Sequence, residues 1–277
     1  MSTTIKIAGV QMEPKLGDVY RNRREIISLI EVAAGEGAKL VVFPECALTG
    51  YGFADRREAL NAAEQITPGG SVGKIAEVCQ RLDVHAIVGL LERYNSKLYN
   101  ACTLVGPAGI VSTYRKVHLP YLGVDRFADP GDRPFEVVEA AGIKIGMHIC
   151  YDGAFPEPAR VMTLLGAELI VLPTNWPSQS ATIAEHLIAC RAVENVVYAM
   201  AVNRVGEERG FRFEGRSSIA DPGGVTLARA GGGDEIIYAE VEPARAQMKR
   251  IVRVEGLYEL DRIKDRRPEF YGRITAT

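Results

Sequence analysis

Strand-length apolar runs alternate with helix-period segments along most of this chain, which restricts it to layered α/β architectures. Residues 4–12, 40–43, 85–91, 143–149, 169–172, 197–203 and 217–220 read as strands, and residues 20–34, 72–82, 160–165 and 183–193 as helices. Segment 72–82 shows the helical pattern, with Val72, Ile75, Ala76, Cys79 and Leu82 on one face. Segments 98–105 and 110–114 flank Gly106-Pro107-Ala108-Gly109 and predict a hairpin. Segments 225–230 and 236–241 flank Gly231-Gly232-Gly233-Asp234 and predict another. At 277 residues the chain can bury one large core, and its Gly and Pro clusters are too short to be linkers. A single domain, 1–277, is expected.

Three of the strands lead into residues that carry chemistry. Gly142-Ile143-Lys144-Ile145-Gly146-Met147-His148-Ile149 alternates like a half-buried strand and runs into Cys150-Tyr151-Asp152, after which a helical pattern begins. A thiol at such a turn faces free N–H groups and the positive end of a helix, which favour thiolate and can hold an oxyanion. Read alone, a cysteine in an apolar run is as readily a core thiol. Lys39-Leu40-Val41-Val42-Phe43-Pro44 delivers a carboxylate, Glu45, and Tyr114-Arg115 delivers an ammonium, Lys116. His118, two residues past Lys116, is an alternative candidate base, and His148, two residues before Cys150, reads as a packing or hydrogen-bonding residue.

The order of these motifs resembles the nitrilase superfamily of carbon–nitrogen hydrolases. Glu45 stands in a P-E-x-x-x-x-G-Y pattern with Gly50-Tyr51, Lys116 in Tyr114-Arg115-Lys116-Val117-His118-Leu119, and Cys150 in a C-x-D pattern. Pro173-Thr174-Asn175-Trp176-Pro177, Arg191-Ala192-Val193-Glu194-Asn195, Asn203-Arg204 and 215–222 extend the likeness over essentially the whole chain. The resemblance implies a four-layer α-β-β-α sandwich that pairs into a homodimer or higher homo-oligomer, with the tail at about 262–277 crossing to the partner. It implies Cys150 as nucleophile, Glu45 as proton shuttle, and Lys116 with the Tyr151 N–H as oxyanion holders. Many members carry a second glutamate just after the lysine segment. Here Asp125, one methylene shorter, is the match, and Asp129 is its competitor. Tyr51, Phe155, Asn175 and Trp176 are candidate pocket residues; the aromatic ones serve equally as core.

The expected reaction is thiol-dependent hydrolysis of a non-peptide carbon–nitrogen bond, with water and a small amide as substrates. Nitrile-cleaving members typically show Cys-Trp-Glu, whereas Cys150-Tyr151-Asp152 is similar to the amidase and carbamoylase branches. Gly153 and Ala154 replace the arginine that ω-amide members often carry for a substrate carboxylate. An N-carbamoyl amidohydrolase, a nitrilase, and a non-catalytic or acyl-transferring member are the alternatives.

Bulk properties exclude other classes. A net charge of −2 leaves no basic footprint for nucleic acid. No apolar run approaches the ~20 residues of a membrane span, and Met1-Ser2-Thr3-Thr4-Ile5-Lys6 does not open a secretory signal, so a cytoplasmic location is expected. The 5 scattered cysteines make no C-x-x-C pair and the 4 histidines lie far apart, so neither a disulfide framework nor a metal site is expected, and no cofactor is implied.

Overall fold

Side-chain alternation along the first strand sets up the layers. The computed structural model describes residues 3–276; Met1, Ser2 and Thr277, the ends of the expected domain 1–277 and of the expected crossing tail, lie outside the described residues. In β1 (Ile5–Gln11), Ile5 and Ile7 join the core that is shared with a second sheet, while Ala8 and Val10 join the core under the helices. β2 (Leu40–Val42), β3 (His85–Tyr94), β4 (Lys97–Gly106) and β5 (Gly109–Arg115) follow beside it. The β1–β2 and β2–β3 pairs are parallel, and β3–β4 and β4–β5 are antiparallel.

The second sheet repeats the scheme with β6 (Val137–Ala140), β7 (Ile143–Met147), β8 (Leu169–Thr174) and β9 (Tyr198–Asn203), where β7–β8 and β8–β9 are parallel. A two-stranded ribbon of β10 (Val205–Glu208) and β11 (Phe211–Glu214) interrupts the order before β12 (Ser218–Ala220) and β13 (Thr226–Arg229) complete the sheet. Ile7, Leu40, Val42 and Ile87 of the first sheet share one continuous core with Ile143, Ile145, Leu169 and Val171 of the second. The sheets approach closely at Gly9, where an added Cβ would meet Val202 Cγ2 at 3.1 Å.

Helices cover the outer faces. α1 (Val19–Gly35) is capped by the Asp18 carboxylate, which accepts the Arg21 N–H, and it buries Asn22, Ile26, Ile30 and Ala33 on one face. α2 (Arg56–Ala62) is a short helix beyond Asp55, and α3 (Ser71–Leu82) packs Val72, Ile75, Ala76 and Cys79 beside α1. α4 (Pro156–Leu164) sets Ala159 and Met162 against Ile170, and α5 (Ala181–Asn195) runs along β9 and β12. The result is an α/β fold of two mixed sheets flanked by helices, the expected α-β-β-α layering. α4 begins four residues before the expected 160, because Pro156 suits the first helical turn.

One expectation is corrected. Segments 225–230 and 236–241 do not form a hairpin: β13 pairs with β12, whereas β14 (Glu235–Val241) crosses to the first sheet and pairs antiparallel with β1. That pairing places Ile237, Ala239 and Val241 in the core between the sheets, burial that an isolated hairpin would not provide. Gln11 Nε2 pins the crossing loop by donating to the carbonyls of Gly231 (2.9 Å) and Gly233 (2.7 Å). Beyond β14 come α6 (Pro243–Gln247), a ribbon of β15 (Arg250–Val254) and β16 (Tyr258–Asp261), and two 3₁₀ turns, Pro268–Phe270 and Gly272–Ile274.

Candidate active site

Glu45 follows β2 in a tight turn, with Cys46 at a positive φ of 51°. The turn packs on Gly89 of β3 so closely that a Cβ there would lie 2.3 Å from the Pro44 carbonyl oxygen and 2.8 Å from Glu45 Cα. Lys116 directly follows β5, and its N–H donates to the Asn100 carbonyl at 2.8 Å. Its neighbour Arg115 is buried in a bidentate pair with Glu92, both bonds 2.7 Å, so the segment is anchored on each side.

These elements bring Lys116 Nζ 2.7 Å from Glu45 Oε1 and 2.6 Å from Asp125 Oδ2, with all three side chains at 0% exposure. Asp125 therefore reaches Lys116 despite its shorter side chain. Asp129 instead pairs with Arg56 and Lys97. The Tyr51 hydroxyl donates to Asp125 Oδ2 at 2.9 Å, so Tyr51 backs the carboxylate and is not an open pocket wall.

The sequence reading missed Asn100. Its amide donates to Glu45 Oε1 at 2.7 Å and to Asp125 Oδ1 at 2.8 Å, bracing both carboxylates. The available signal was a lone amide inside the apolar run Leu98-Tyr99-Asn100-Ala101-Cys102. Such a group has to find partners when buried.

Cys150 lies three residues past β7 at a positive φ of 46°, an uncommon backbone state for a non-glycine residue. It opens a 3₁₀ turn, Cys150–Ala154, and α4 starts only at Pro156. The expected position at the N-terminus of an α-helix is thus corrected: the turn supplies local N–H groups, and the long helix does not begin at the thiol. The Asp152 carboxylate organises this turn through its bond from the Ile149 N–H, 2.9 Å. Gly153 has little room, since a Cβ would sit 2.8 Å from Leu172 Cδ2, and its carbonyl accepts from Arg191 Nη2 at 2.9 Å.

The electrostatics also revise the expectation of a ready thiolate. Burial, reinforced by the nearby Glu45 charge and only partly offset by Lys116, pushes the Cys150 thiol up to about 12. The resting group is therefore the neutral thiol. Burial also raises the Glu45 carboxyl above its ordinary value, with Lys116 opposing the rise. Burial alone would strip the Lys116 proton, but the Asp125 and Glu45 carboxylates outweigh it and hold the ammonium well above its ordinary value. Glu45 Oε2 makes no hydrogen bond among the described residues, which leaves that oxygen free to exchange a proton.

The remaining candidates divide. Trp176 shares the core with Cys150 and is 5% exposed, and its backbone N–H donates to Asn203 Oδ1. Asn175 is fully buried, its side-chain amide makes no hydrogen bond among the described residues, and its backbone lies beside the Cys150 sulfur. Phe155 stacks on His118 at 4.1 Å between centroids and meets the exposed Tyr151 ring edge-on at 5.2 Å. His118 is committed to Asp152 through Nδ1 at 2.7 Å. Burial lowers the imidazole of His148 to about 4, so it is neutral at physiological pH.

Among the described residues no group of three or more His, Cys, Asp and Glu is placed to hold a metal ion, and no helix is long and apolar enough to cross a membrane.

Comparison with known proteins agrees with the motif order and the fold. A family model described as carbon–nitrogen hydrolase matches residues 6–250. A nitrilase from Pyrococcus abyssi is 37% identical over 97% of this chain and 100% of its own length. An (R)-stereoselective amidase from a Pseudomonas species is 34% identical over 98% of this chain and 94% of its own. The fold superposes with TM-score 0.79, at 22% identity, on a variant of the amidase from Nesterenkonia sp. AN1, covering 96% of this chain and 95% of that one. That structure carries the acetamide moiety of fluoroacetamide covalently on its active-site cysteine. Taken with the full-length matches, the motifs and the layered fold show that this chain belongs to the nitrilase superfamily of carbon–nitrogen hydrolases.

Proposed function

We propose that the protein hydrolyses a small amide to a carboxylic acid and ammonia through a thioester on Cys150. The observation that carries this reading is the buried Glu45–Lys116–Asp125 cluster beside a neutral thiol. As the Cys150 sulfur attacks the amide carbon, its proton passes to Glu45. The carbonyl oxygen becomes an oxyanion held by Lys116 Nζ and the Tyr151 N–H. Glu45 returns the proton to the leaving nitrogen as the C–N bond breaks and ammonia departs. It then takes a proton from water, which attacks the thioester, and the thiol is regenerated with release of the acid. A base with raised proton affinity suits this double duty, and a lysine kept charged by Asp125 suits the oxyanion.

Amide chemistry is supported by the Cys150-Tyr151-Asp152 motif, by the Pseudomonas amidase relative and by the active-site cysteine of the Nesterenkonia amidase, which takes up the acetamide moiety of fluoroacetamide covalently. Nitrile hydrolysis is the second reading, favoured by the name of the Pyrococcus relative. The crowded, neutral Gly153 position speaks against a carboxylate clamp there. For assembly, a groove of about 860 Å³ between α4 and the tail, lined by Val161, Leu164, Tyr271 and Ile274, supports a homodimer. The five cysteines, all free, are compatible with a cytoplasmic setting.

Ammonia release from a panel of amides, carbamoyl amines and nitriles tests the reading, with Cys150→Ser as the inactive control. Turnover of amides is expected. Exclusive turnover of nitriles, or full activity in Cys150→Ser, would reject it.

A further inference from the structure

We infer that Asp152 is a positioning residue whose single carboxylate sets Lys116 against Cys150; the inference rests on the mechanism proposed above. Asp152 is fully buried, and both of its oxygens are used twice. Oδ1 accepts the His118 N–H at 2.9 Å and meets His118 Nδ1 at 2.7 Å. Oδ2 accepts the Tyr114 hydroxyl at 2.8 Å and the Ile149 N–H at 2.9 Å.

The placement of these donors matters more than their number. Tyr114 and His118 stand two residues before and two residues after Lys116, while Ile149 directly precedes Cys150. Lys116 arrives from the first sheet and Cys150 from the second. One carboxylate thus staples the segment that carries the ammonium to the turn that carries the thiol. His118 and Ile149, and Cys150 itself, sit outside regular strands, so strand pairing does not set their separation.

The protonation state of Asp152 fits the task. Burial alone would raise its carboxyl, but the bonds from His118 and the Ile149 N–H outweigh that and hold it below the ordinary carboxylate value. It therefore stays an acceptor-only anion across the neutral range. An amide in its place would keep the size but present two hydrogens to donors that already point inward.

Asp152→Asn and Tyr114→Phe test the staple, with Glu168→Gln as a matched control. Glu168 is a buried carboxylate at the opposite end of the same sheet, where it accepts the Lys144 N–H and the Gln247 amide. Asp152→Asn is expected to lower kcat on the order of 100-fold and Tyr114→Phe about tenfold, each with KM within about twofold. Glu168→Gln is expected to lower the melting temperature without lowering kcat. The rate of Cys150 alkylation by iodoacetamide, mapped by peptide, is expected to fall in both site variants whatever the substrate proves to be. That readout separates failure of the staple from failure of the amidase reading. If the site variants lose only stability, as the control does, and alkylate at the parent rate, the inference is overturned; should Asp152→Asn not fold, Tyr114→Phe decides.

Discussion

At the scale of single residues, the site is a cluster of charges on fully buried side chains, so each member depends on the others. Glu45→Gln keeps the size and some hydrogen bonding but removes the proposed base, and a loss of roughly 10²–10⁴-fold in kcat is expected. Lys116→Met removes the ammonium proposed to hold the oxyanion and leaves Glu45 and Asp125 as two buried carboxylates without their cation. A loss on the order of 10²–10³-fold or more is expected. Single-turnover kinetics on the singles and the double should show strong non-additivity, the double being barely worse than the worse single. Simple summation of the barriers would mean independent action and would reject the mechanism. Asn100→Leu removes one hydrogen bond from each carboxylate at the same moment. It should cost about 10–100-fold in kcat with the fold retained, and circular dichroism beside the kinetics checks this. Exposure also sets thiol reactivity: Cys190 is exposed while Cys46, Cys79, Cys102 and Cys150 are buried. A bulky disulfide reagent should therefore modify Cys190 first in the native protein, and peptide mapping reads the order.

At the scale of elements, Glu45 and Cys150 sit where strands with parallel partners end and the turns beyond them tighten, and Lys116 sits at the end of the antiparallel edge strand β5. Two such turns, at Cys46 and Cys150, hold non-glycine residues at positive φ, a state that surrounding packing has to maintain. Gly89 maintains the first. Gly89→Ala would press a methyl group into the Pro44–Glu45 backbone, which cannot rotate away as a flexible side chain could. Destabilisation of about 1–3 kcal/mol is expected, together with a loss of kcat larger than stability alone explains. Urea unfolding and steady-state kinetics on the same preparation test both halves. A variant with parent kcat would show that the Glu45 turn tolerates displacement.

At the scale of the whole molecule, burial of titratable groups ties stability to pH. His148 is buried and neutral, with its pKa lowered from 6.5 to about 4. The unfolded chain takes up that proton near 6.5 while the folded one resists until about 4. The contribution is therefore fully present above 6.5 and is lost as pH falls towards 4, by about 3 kcal/mol in all. Asp152, whose folded value is depressed below 3.8, loses its contribution only at still lower pH. Glu45, raised by burial, works in the opposite sense, so the difference between the parent and His148→Gln isolates the histidine. The variant is expected to show a flatter dependence of the urea midpoint between pH 7 and about 4.5. Parallel curves would show that His148 is not the group that titrates.

How much of this could be read before any coordinates follows from the range of the forces involved. Periodicity is local, so β1 to β5, α1, α3 and the catalytic candidates at strand ends were legible from the chain itself. The motif order around Glu45, Lys116 and Cys150 was legible for the same reason, since each motif is a short stretch. What only the tertiary structure decided depends on partners distant in sequence. The crossing of β14 into the first sheet was settled by seven paired residues of β1, more than 200 positions away. The reach of Asp125 to Lys116, the bracing by Asn100 and the support from Tyr51 were settled by the meeting of three separate segments. The ionisation of Cys150 was settled by burial, and depth in a core is a property of the packed chain and not of any one stretch of it.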